Sequence, residues 1–163
     1  MAGAARNGAG KWLLLAALVI AADHLTKALI LRSFVHAERL PIIAGFFDLT
    51  LLFNKGAAFS FLSSAGGWQR WFFIALGIAA AIFISFLLLR HGSQQLFAFA
   101  LALILGGAIG NVLDRIFRGQ VVDFLLVYYK SFYWPAFNVA DSAICVGAVL
   151  LIVDELRRVR RSR

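Results

Sequence analysis

Two aspartates, Asp123 and Asp141, have the chemical type and the chain positions expected of an acid–base pair. Asp141 lies at the start of an apolar run, and Asp123 lies 18 residues earlier, in the segment that must return to the same helix end. Two close carboxylates do not both ionise easily, so one of them keeps a proton. Such a pair offers a base for a water molecule and an acid for a carbonyl oxygen, which is the chemistry of aspartic peptidases.

The position of Asp141 at the start of the last apolar run requires a physical reason. A charged side chain deep in a bilayer costs about 2.5–3.5 kcal/mol on insertion scales. If Asn138 is the N-cap of the helix, Asp141 is its third residue, where backbone N–H groups and the helix dipole favour a carboxylate. A purely capping role for Asp141 therefore stays open as the alternative to a chemical one.

The hydropathy of the chain predicts a polytopic membrane protein in which helices position these acids. The 163 residues are 62% hydrophobic and 15% charged, with a mean hydropathy of +0.86. The 19 residues from Trp71 to Leu89 would extend about 28 Å as a helix, enough to cross a bilayer core. We predict an all-α fold, a single membrane-embedded domain covering residues 1–163. Its four transmembrane helices are predicted at residues 12–31, 71–89, 96–117 and 139–156.

The charge distribution bears on partners and orientation. The net charge is +8, and the densest basic run is the tail Arg157–Arg163. In so apolar a chain, basic residues indicate contact with anionic lipids rather than nucleic acid. Lys and Arg tie at 8 on each predicted side, but the short loop after Arg90 and the basic tail favour cytoplasmic termini. The single cysteine, Cys145, excludes an intramolecular disulfide, and we interpret it as a small buried hydrophobic residue.

Two segments of about residues 33–69 and 118–137 are too polar to span and are predicted to lie on the outer, periplasmic face. Within the first, alternation over Phe47–Asn54 predicts a strand with one apolar face. Asp48 and Thr50 lie on its other face. The second segment is rich in Tyr, Phe and Trp, which suit the membrane–water interface, and is predicted to be an aromatic-rich loop.

The remaining polar residues of the predicted spans collect on that same outer half. Asp23 and Lys27 are spaced i,i+4, which predicts an ion pair along one helix face. Asn111 and Arg115 have the same spacing, with Asp114 beside them, and we interpret them as a network that locks the bundle. Asp114 and, across the bundle, Asp23 are the predicted partners of Arg115. The glycines of the preceding "GGAIGN" allow helix backbones to approach closely. The predicted catalytic and supporting residues are Asp23, Lys27, Asn54, Gly56, Asn111, Asp114, Arg115, Asp123, Asn138 and Asp141.

Other chemistries are considered beside the aspartate pair. The three histidines show no metal-ligand spacing, so no metal and no cofactor are predicted. A Ser–Lys peptidase is an alternative, because Ser60 follows Lys55 and Ser131 adjoins Lys130. A small proton-coupled transporter is the alternative outside enzymes, since intramembrane Asp and Lys residues often form proton relays. A transporter also needs polar residues beyond the membrane midplane, which the second and fourth predicted spans lack.

Five segments in order resemble the bacterial lipoprotein signal peptidases, the signal peptidase II family. They are "DHLTK" (Asp23–Lys27), "FNKGAAFS" (Phe53–Ser60), "GGAIGNVLDR" (Gly106–Arg115), "VVDF" (Val121–Phe124) and "FNVADSA" (Phe137–Ala143). Each motif alone is weak, but five in order across nearly the whole chain are specific to this family.

The resemblance implies an aspartic endopeptidase of the bacterial cytoplasmic (inner) membrane. Such enzymes remove the signal peptide from diacylglyceryl-modified prolipoproteins, cutting just before the lipidated cysteine, and they are the target of globomycin-type inhibitors. A small β-sheet resting on the membrane is also implied, and we expect a monomer surrounded by membrane lipids. The family's catalytic aspartates map onto Asp123 and Asp141. Its other motif residues map onto Asp23, Asn54, Gly56, Asn111, Arg115 and Asn138.

Overall fold

The structure is a computed structural model that describes residues 2–56 and 66–161. Within them the chain forms four long helices, and each contains one of the four predicted spans. The helices are α1 (Ala2–Ser33), α2 (Trp68–His91), α3 (Gln95–Arg118) and α4 (Val139–Arg161). The turn predicted after Arg90 is only three residues long, from Gly92 to Gln94, so α2 and α3 are antiparallel neighbours.

Three of these helices are long and apolar enough to cross a membrane, over Gly8–Ser33, Trp68–His91 and Gln95–Arg118. In α4 the uncharged stretch between Asp141 and Asp154 is only 12 residues long, about 18 Å at the helical rise. Composition therefore supports three spans, and the fourth remains a prediction.

The central helix is α3, which contacts each of the other three helices. Its glycines make this arrangement possible. A Cβ atom added to Gly106 would lie 2.7 Å from the Ala16 carbonyl oxygen on α1, and one added to Gly107 would lie 2.3 Å from that of Ala140 on α4. Any larger residue would push these helices apart, so the predicted close approach at the glycine-rich motif is confirmed.

Four antiparallel strands form one sheet in the order β1-β2-β3-β4. They are β1 (Arg39–Ile43), β2 (Phe47–Asn54), β3 (Val121–Tyr129) and β4 (Phe132–Tyr133). The strand predicted at Phe47–Asn54 is confirmed with the same bounds. The prediction of an aromatic-rich loop over about residues 118–137 is wrong, because that segment forms β3 and β4. The first four residues of β3 are all buried, so this strand has no alternating pattern to detect.

Both faces of β2 have partners. Leu51 packs with Ile30 of α1 and Val122 of β3 in a buried apolar cluster that seats the sheet on the end of α1. Asp48, on the polar face, is 1% exposed, because Arg39 Nε donates to it at 2.8 Å and the Tyr128 hydroxyl donates to it at 2.9 Å. The sheet thus has a fixed position relative to the helix bundle.

Candidate active site

Asp123 lies in β3, and both of its carboxylate oxygens accept hydrogen bonds from side-chain amides. Asn54 at the end of β2 donates from Nδ2 to Oδ2 at 3.1 Å, and Asn138 donates from Nδ2 to Oδ1 at 2.7 Å. The antiparallel register brings Asn54 beside Asp123, since Asn54 pairs with Val121 and Leu52 with Asp123. Asp123 is 3% exposed, so the two amides replace water around the carboxylate.

Asp141 lies in the first turn of α4, and the predicted helix cap is confirmed. The Asn138 side-chain oxygen accepts a hydrogen bond of 2.9 Å from the backbone N–H of Asp141. The Asp141 carboxylate accepts a second amide bond, from Nδ2 of Asn111 on α3, at 2.7 Å. Asp141 is therefore held from its own helix end and from the neighbouring helix.

Asn138 connects the two aspartates, because its amide nitrogen donates to Asp123 and its amide oxygen caps the turn that carries Asp141. The Asn138 side chain is fully buried, so its amide makes its hydrogen bonds to protein atoms rather than to bulk water. The same nitrogen lies 3.2 Å from the Val122 carbonyl oxygen and 3.4 Å from the Asn111 side-chain oxygen. One amide thus brings the two predicted catalytic side chains together.

A buried ionic network centred on Lys27 adjoins the residues that hold the two aspartates. Its ammonium is 2.7 Å from Asp23 and 2.8 Å from Asp114, and all three side chains have no solvent exposure. The predicted Asp23–Lys27 pair is confirmed. Lys27 also donates to the Asn111 oxygen at 3.3 Å, and Asp23 accepts a bond of 2.9 Å from the Ala140 backbone N–H. The network therefore joins α1 to the start of α4.

Asp114 connects the same network to the sheet. Its carboxylate accepts from the Val122 backbone N–H at 3.2 Å and pairs with Arg118 one turn along α3. Because Val122 directly precedes Asp123, this bond fixes the strand at the point where it carries the aspartate. Arg118 was missed by the sequence reasoning, although its i,i+4 spacing from Asp114 is visible in the sequence.

The predicted partners of Arg115 are wrong. Asp114 and Asp23 were expected to hold it, but Lys27 lies between these two acids and pairs with both. Arg115 instead donates to the Gly56 carbonyl oxygen at 2.8 Å and to the Asn111 carbonyl oxygen at 3.3 Å.

Arg115 thereby holds the segment that follows β2. The backbone N–H of Gly56 donates to the Asn54 side-chain oxygen at 2.9 Å, so the arginine supports the amide that contacts Asp123. The structure thus brings all ten sequence-predicted residues into one connected region.

A cavity of about 570 Å³ opens beside the pair, and Asp141 lines it. Five of its lining residues belong to the predicted site, Asn54, Gly56, Asn111, Arg115 and Asp141. Its other lining residues are mostly apolar or small: Val121, Trp134, Pro135, Ala136, Phe137, Ser142, Ile144 and Cys145. The interpretation of Cys145 as buried is wrong, because it is exposed into this cavity one helical turn after Asp141. Hydropathy alone does not tell which face of a helix is packed.

The surroundings of Asp123 favour its protonated form. Burial, and then the negative charge of Asp141, raise the pKa of Asp123 to about 7, against the lowering effect of the Asn54 and Asn138 hydrogen bonds and of Lys27. A carboxyl group with such a pKa exchanges its proton near neutral pH. The pair therefore has a group suited to acid–base work under physiological conditions.

Of the two Ser–Lys pairs considered from the sequence, the structure describes one in full. Ser131 and Lys130 are exposed at the turn between β3 and β4, and neither lines the cavity. Ser60 lies outside the described residues.

Within residues 8–56 and 66–161, no three His, Cys, Asp or Glu side chains cluster as metal ligands.

Sequence comparison relates the chain to one family. The sequence model of the family described as Signal peptidase (SPase) II matches residues 15–157. The lipoprotein signal peptidase of Ralstonia nicotianae is 63% identical over 155 residues, covering 95% of this chain and 89% of the relative. That of Cupriavidus necator is 61% identical over 150 residues, covering 92% and 85%.

Solved structures show the same fold. A bacterial membrane enzyme, solved by the in meso method at 2.3 Å resolution, superposes with a TM-score of 0.85 at 28% identity, covering 94% of this chain and 92% of that one. A second, solved by the same method at 1.9 Å, gives 0.78 at 30% identity, covering 90% and 93%.

Proposed function

The chain belongs to the signal peptidase II family, and from that premise we propose that Asp123 and Asp141 are the carboxylates that carry out its reaction. The chain is a membrane aspartic peptidase that removes signal peptides from prolipoproteins. The observation that carries the assignment is the position of Asn138, whose single amide contacts Asp123 and caps the turn of Asp141. Membership of this family favours the peptidase over the transporter that the sequence left as an alternative.

In the proposed reaction, one carboxylate of the pair is ionised and takes a proton from a water molecule. The resulting hydroxide attacks the carbonyl carbon of the peptide bond, while the protonated partner donates its proton to the carbonyl oxygen. The tetrahedral intermediate then collapses: the carboxylate that gave up its proton takes one from a hydroxyl of the intermediate, the C–N bond breaks, and the amine leaves with the proton of the other carboxyl group, which restores the pair. The proton belongs to the pair as a unit, because two coupled acids titrate together.

The surrounding side chains support this cycle. Each aspartate accepts at least one amide N–H, so both keep their orientation when the shared proton moves. Lys27 places a positive charge within hydrogen-bond distance of Asn111, which itself contacts Asp141. That charge offsets part of the repulsion between the two acids.

We infer that the substrate binds in the cavity beside Asp141. A lining of polar site residues together with apolar side chains suits a peptide with a lipid on one residue, and this supports a diacylglyceryl-modified prolipoprotein cut just before the lipidated cysteine. Globomycin-type inhibitors are expected to occupy the same space. Membrane lipids surround the bundle, and no second copy of the chain is needed to complete the site.

We also propose that α4 is a fourth span. A Cβ atom on Gly107 would meet Ala140 at the start of α4, and one on Gly147 would lie 2.7 Å from the Ala100 carbonyl oxygen, so α4 runs antiparallel against α3. Because α3 is long and apolar enough to cross a bilayer, its partner lies at the same depth. With both termini in the cytoplasm, the sheet and the aspartates lie at the periplasmic surface of the inner membrane.

The test is cleavage by the purified chain in detergent. A diacylglyceryl-modified prolipoprotein should lose its signal peptide, and mass spectrometry should find the lipidated cysteine as the new amino terminus. The matched control is the same precursor without the diacylglyceryl group, which should be cut far more slowly. Equal cleavage of both precursors, or a cut elsewhere, would contradict the proposed substrate and site.

A further inference from the structure

A second cavity lies at the end of the bundle away from the aspartates, between the start of α3 and the end of α4. Its volume is about 370 Å³. We call it the basic pocket, and its lining residues are Gln94, Gln95, Leu96, Asp154, Arg157, Arg158 and Arg161. Arg158 lies 17 residues after Asp141, about 25 Å further along α4, so the basic pocket is distinct from the peptidase site.

The basic pocket is formed by a regular stripe of α4. Asp154, Arg157, Arg158 and Arg161 are spaced i, i+3, i+4 and i+7, which places them on one helix face. Arg158 pairs with Glu155 at 2.7 Å. Among the residues that the structure describes, neither Arg157 nor Arg161 has an ion-pair partner. Asp154 is the one acid among the lining residues, so the three arginines leave the pocket with a net positive charge.

The start of α3 adds further positive potential. Its N-cap, Gln94, makes no side-chain capping bond, and its first turn carries no acid. The first N–H groups of a helix have no partner within that helix and attract anions. Lys11 of α1 donates to the Gln95 side chain at 2.5 Å, which brings a fourth cation to the rim.

We propose that the basic pocket binds the phosphate of an anionic phospholipid. Guanidinium groups match the geometry of phosphate oxygens and bind them by charge-assisted bonds. The pocket lies where α3 begins and α4 ends, which in the proposed orientation is the level of the cytoplasmic lipid headgroups. The carboxylate of Asp154, which also lines the pocket, can accept a hydrogen bond from a hydroxyl of the lipid headgroup. Apolar Leu96 in the pocket lining offers a surface for the start of an acyl chain.

A free phosphate ion could satisfy the same guanidinium groups, and the two sources differ in what else they contact. The position of Leu96 favours the lipid, because inorganic phosphate gains nothing from apolar surface. The inference rests on the proposed placement of this end at the cytoplasmic membrane surface, and it does not depend on the aspartates.

The experiment measures the dissociation constant of short-chain phosphatidylglycerol by titration into the purified full chain in a non-ionic detergent. Short-chain phosphatidylcholine is the zwitterionic comparison, and sodium phosphate is the competing free ion. The test variant is the double substitution Arg157→Gln and Arg161→Gln. The matched control is Arg90→Gln with Arg160→Gln, which removes two charges from the same end of the bundle but none from the basic pocket.

We expect the chain to bind phosphatidylglycerol at least about tenfold more tightly than phosphatidylcholine, and the pocket variant to lose about tenfold or more. The control variant should change by less than about twofold, and cleavage of prolipoprotein in detergent should be unaffected in both. Equal binding of the two lipids, or an equal loss in the control, would overturn the proposal. Displacement of the lipid by millimolar phosphate would overturn the lipid as the ligand.

Discussion

The side-chain amide of Asn138 donates a hydrogen bond of 2.7 Å to Asp123. Asn138 is also the N-cap of α4, so the residue that starts the helix is the residue that orients the buried acid of the sheet. The helix end and the strand therefore cannot shift independently, which ties the geometry of the aspartate pair to the fold.

Substitution of Asn138 separates its two roles. Asn138→Ala should remove the cap and the donor to Asp123, costing about 1–3 kcal/mol of stability and at least about a hundredfold in kcat. Asn138→Asp keeps a capping oxygen but replaces the donor by a third buried carboxylate beside Asp123, so it should be inactive even where it folds. Thermal unfolding and cleavage rate are measured together. Near-normal turnover in Asn138→Asp would show that the amide donor is not required.

The pH dependence follows from the raised pKa of Asp123. Its value of about 7 in the folded protein exceeds its ordinary value of 3.8, so the folded state binds more protons between these limits. Stability from this group is fully present below about pH 3.8 and is lost as pH rises through about 7, by up to about 4 kcal/mol. Asp123→Asn should flatten the dependence. Activity should also fall above about pH 7, and a profile flat to pH 9 would contradict the shared proton.

Lys27 is predicted to be essential for stability. Lys27→Met keeps the length of the side chain but leaves Asp23 and Asp114 buried without their cation, which should cost about 3–5 kcal/mol. Lys130→Met removes the same charge from an exposed turn and should change the melting temperature little. Thermal unfolding in detergent compares the two. Similar melting temperatures would mean that Lys27 does not hold the helices together.

Cys145 offers a probe of the cavity. Cys145→Ala should keep near-normal activity, and EDTA should have no effect, because the proposed reaction uses neither a thiol nor a metal. Modification of the wild-type thiol with a bulky maleimide should block cleavage, since the thiol lines the cavity one turn from Asp141. The Cys145→Ala variant treated with the same reagent is the control. Full activity after complete labelling would place the substrate elsewhere.

The helices and the pair of acids were predictable because their signals are local. Long apolar runs predict spans, the N-cap spacing from Asn138 to Asp141 predicts the first turn of α4, and i,i+4 spacing predicts the Asp23–Lys27 pair. Alternation also located β2, since that strand has one polar face.

The errors concern features that depend on packing between distant segments. Strand β3 is buried on both sides at its start and gives no alternating pattern, so its segment was interpreted as a loop. Arg115 was assigned two acidic partners, its sequence neighbour Asp114 and, across the bundle, Asp23, but Lys27 of α1 pairs with both acids. Cys145 was assigned to the core because hydropathy does not distinguish a packed face from a cavity wall.

The most direct test of the aspartate pair is the activity of Asp123→Asn and Asp141→Asn on a diacylated prolipoprotein. Glu155→Gln, which removes one negative charge from an exposed position of the same helix as Asp141, is the matched control. Each aspartate variant should be folded in detergent, since Asn keeps the size of Asp, and should retain less than a few per cent of the cleavage rate, while Glu155→Gln remains active. Substantial cleavage by either folded aspartate variant would contradict the pair as the catalytic groups.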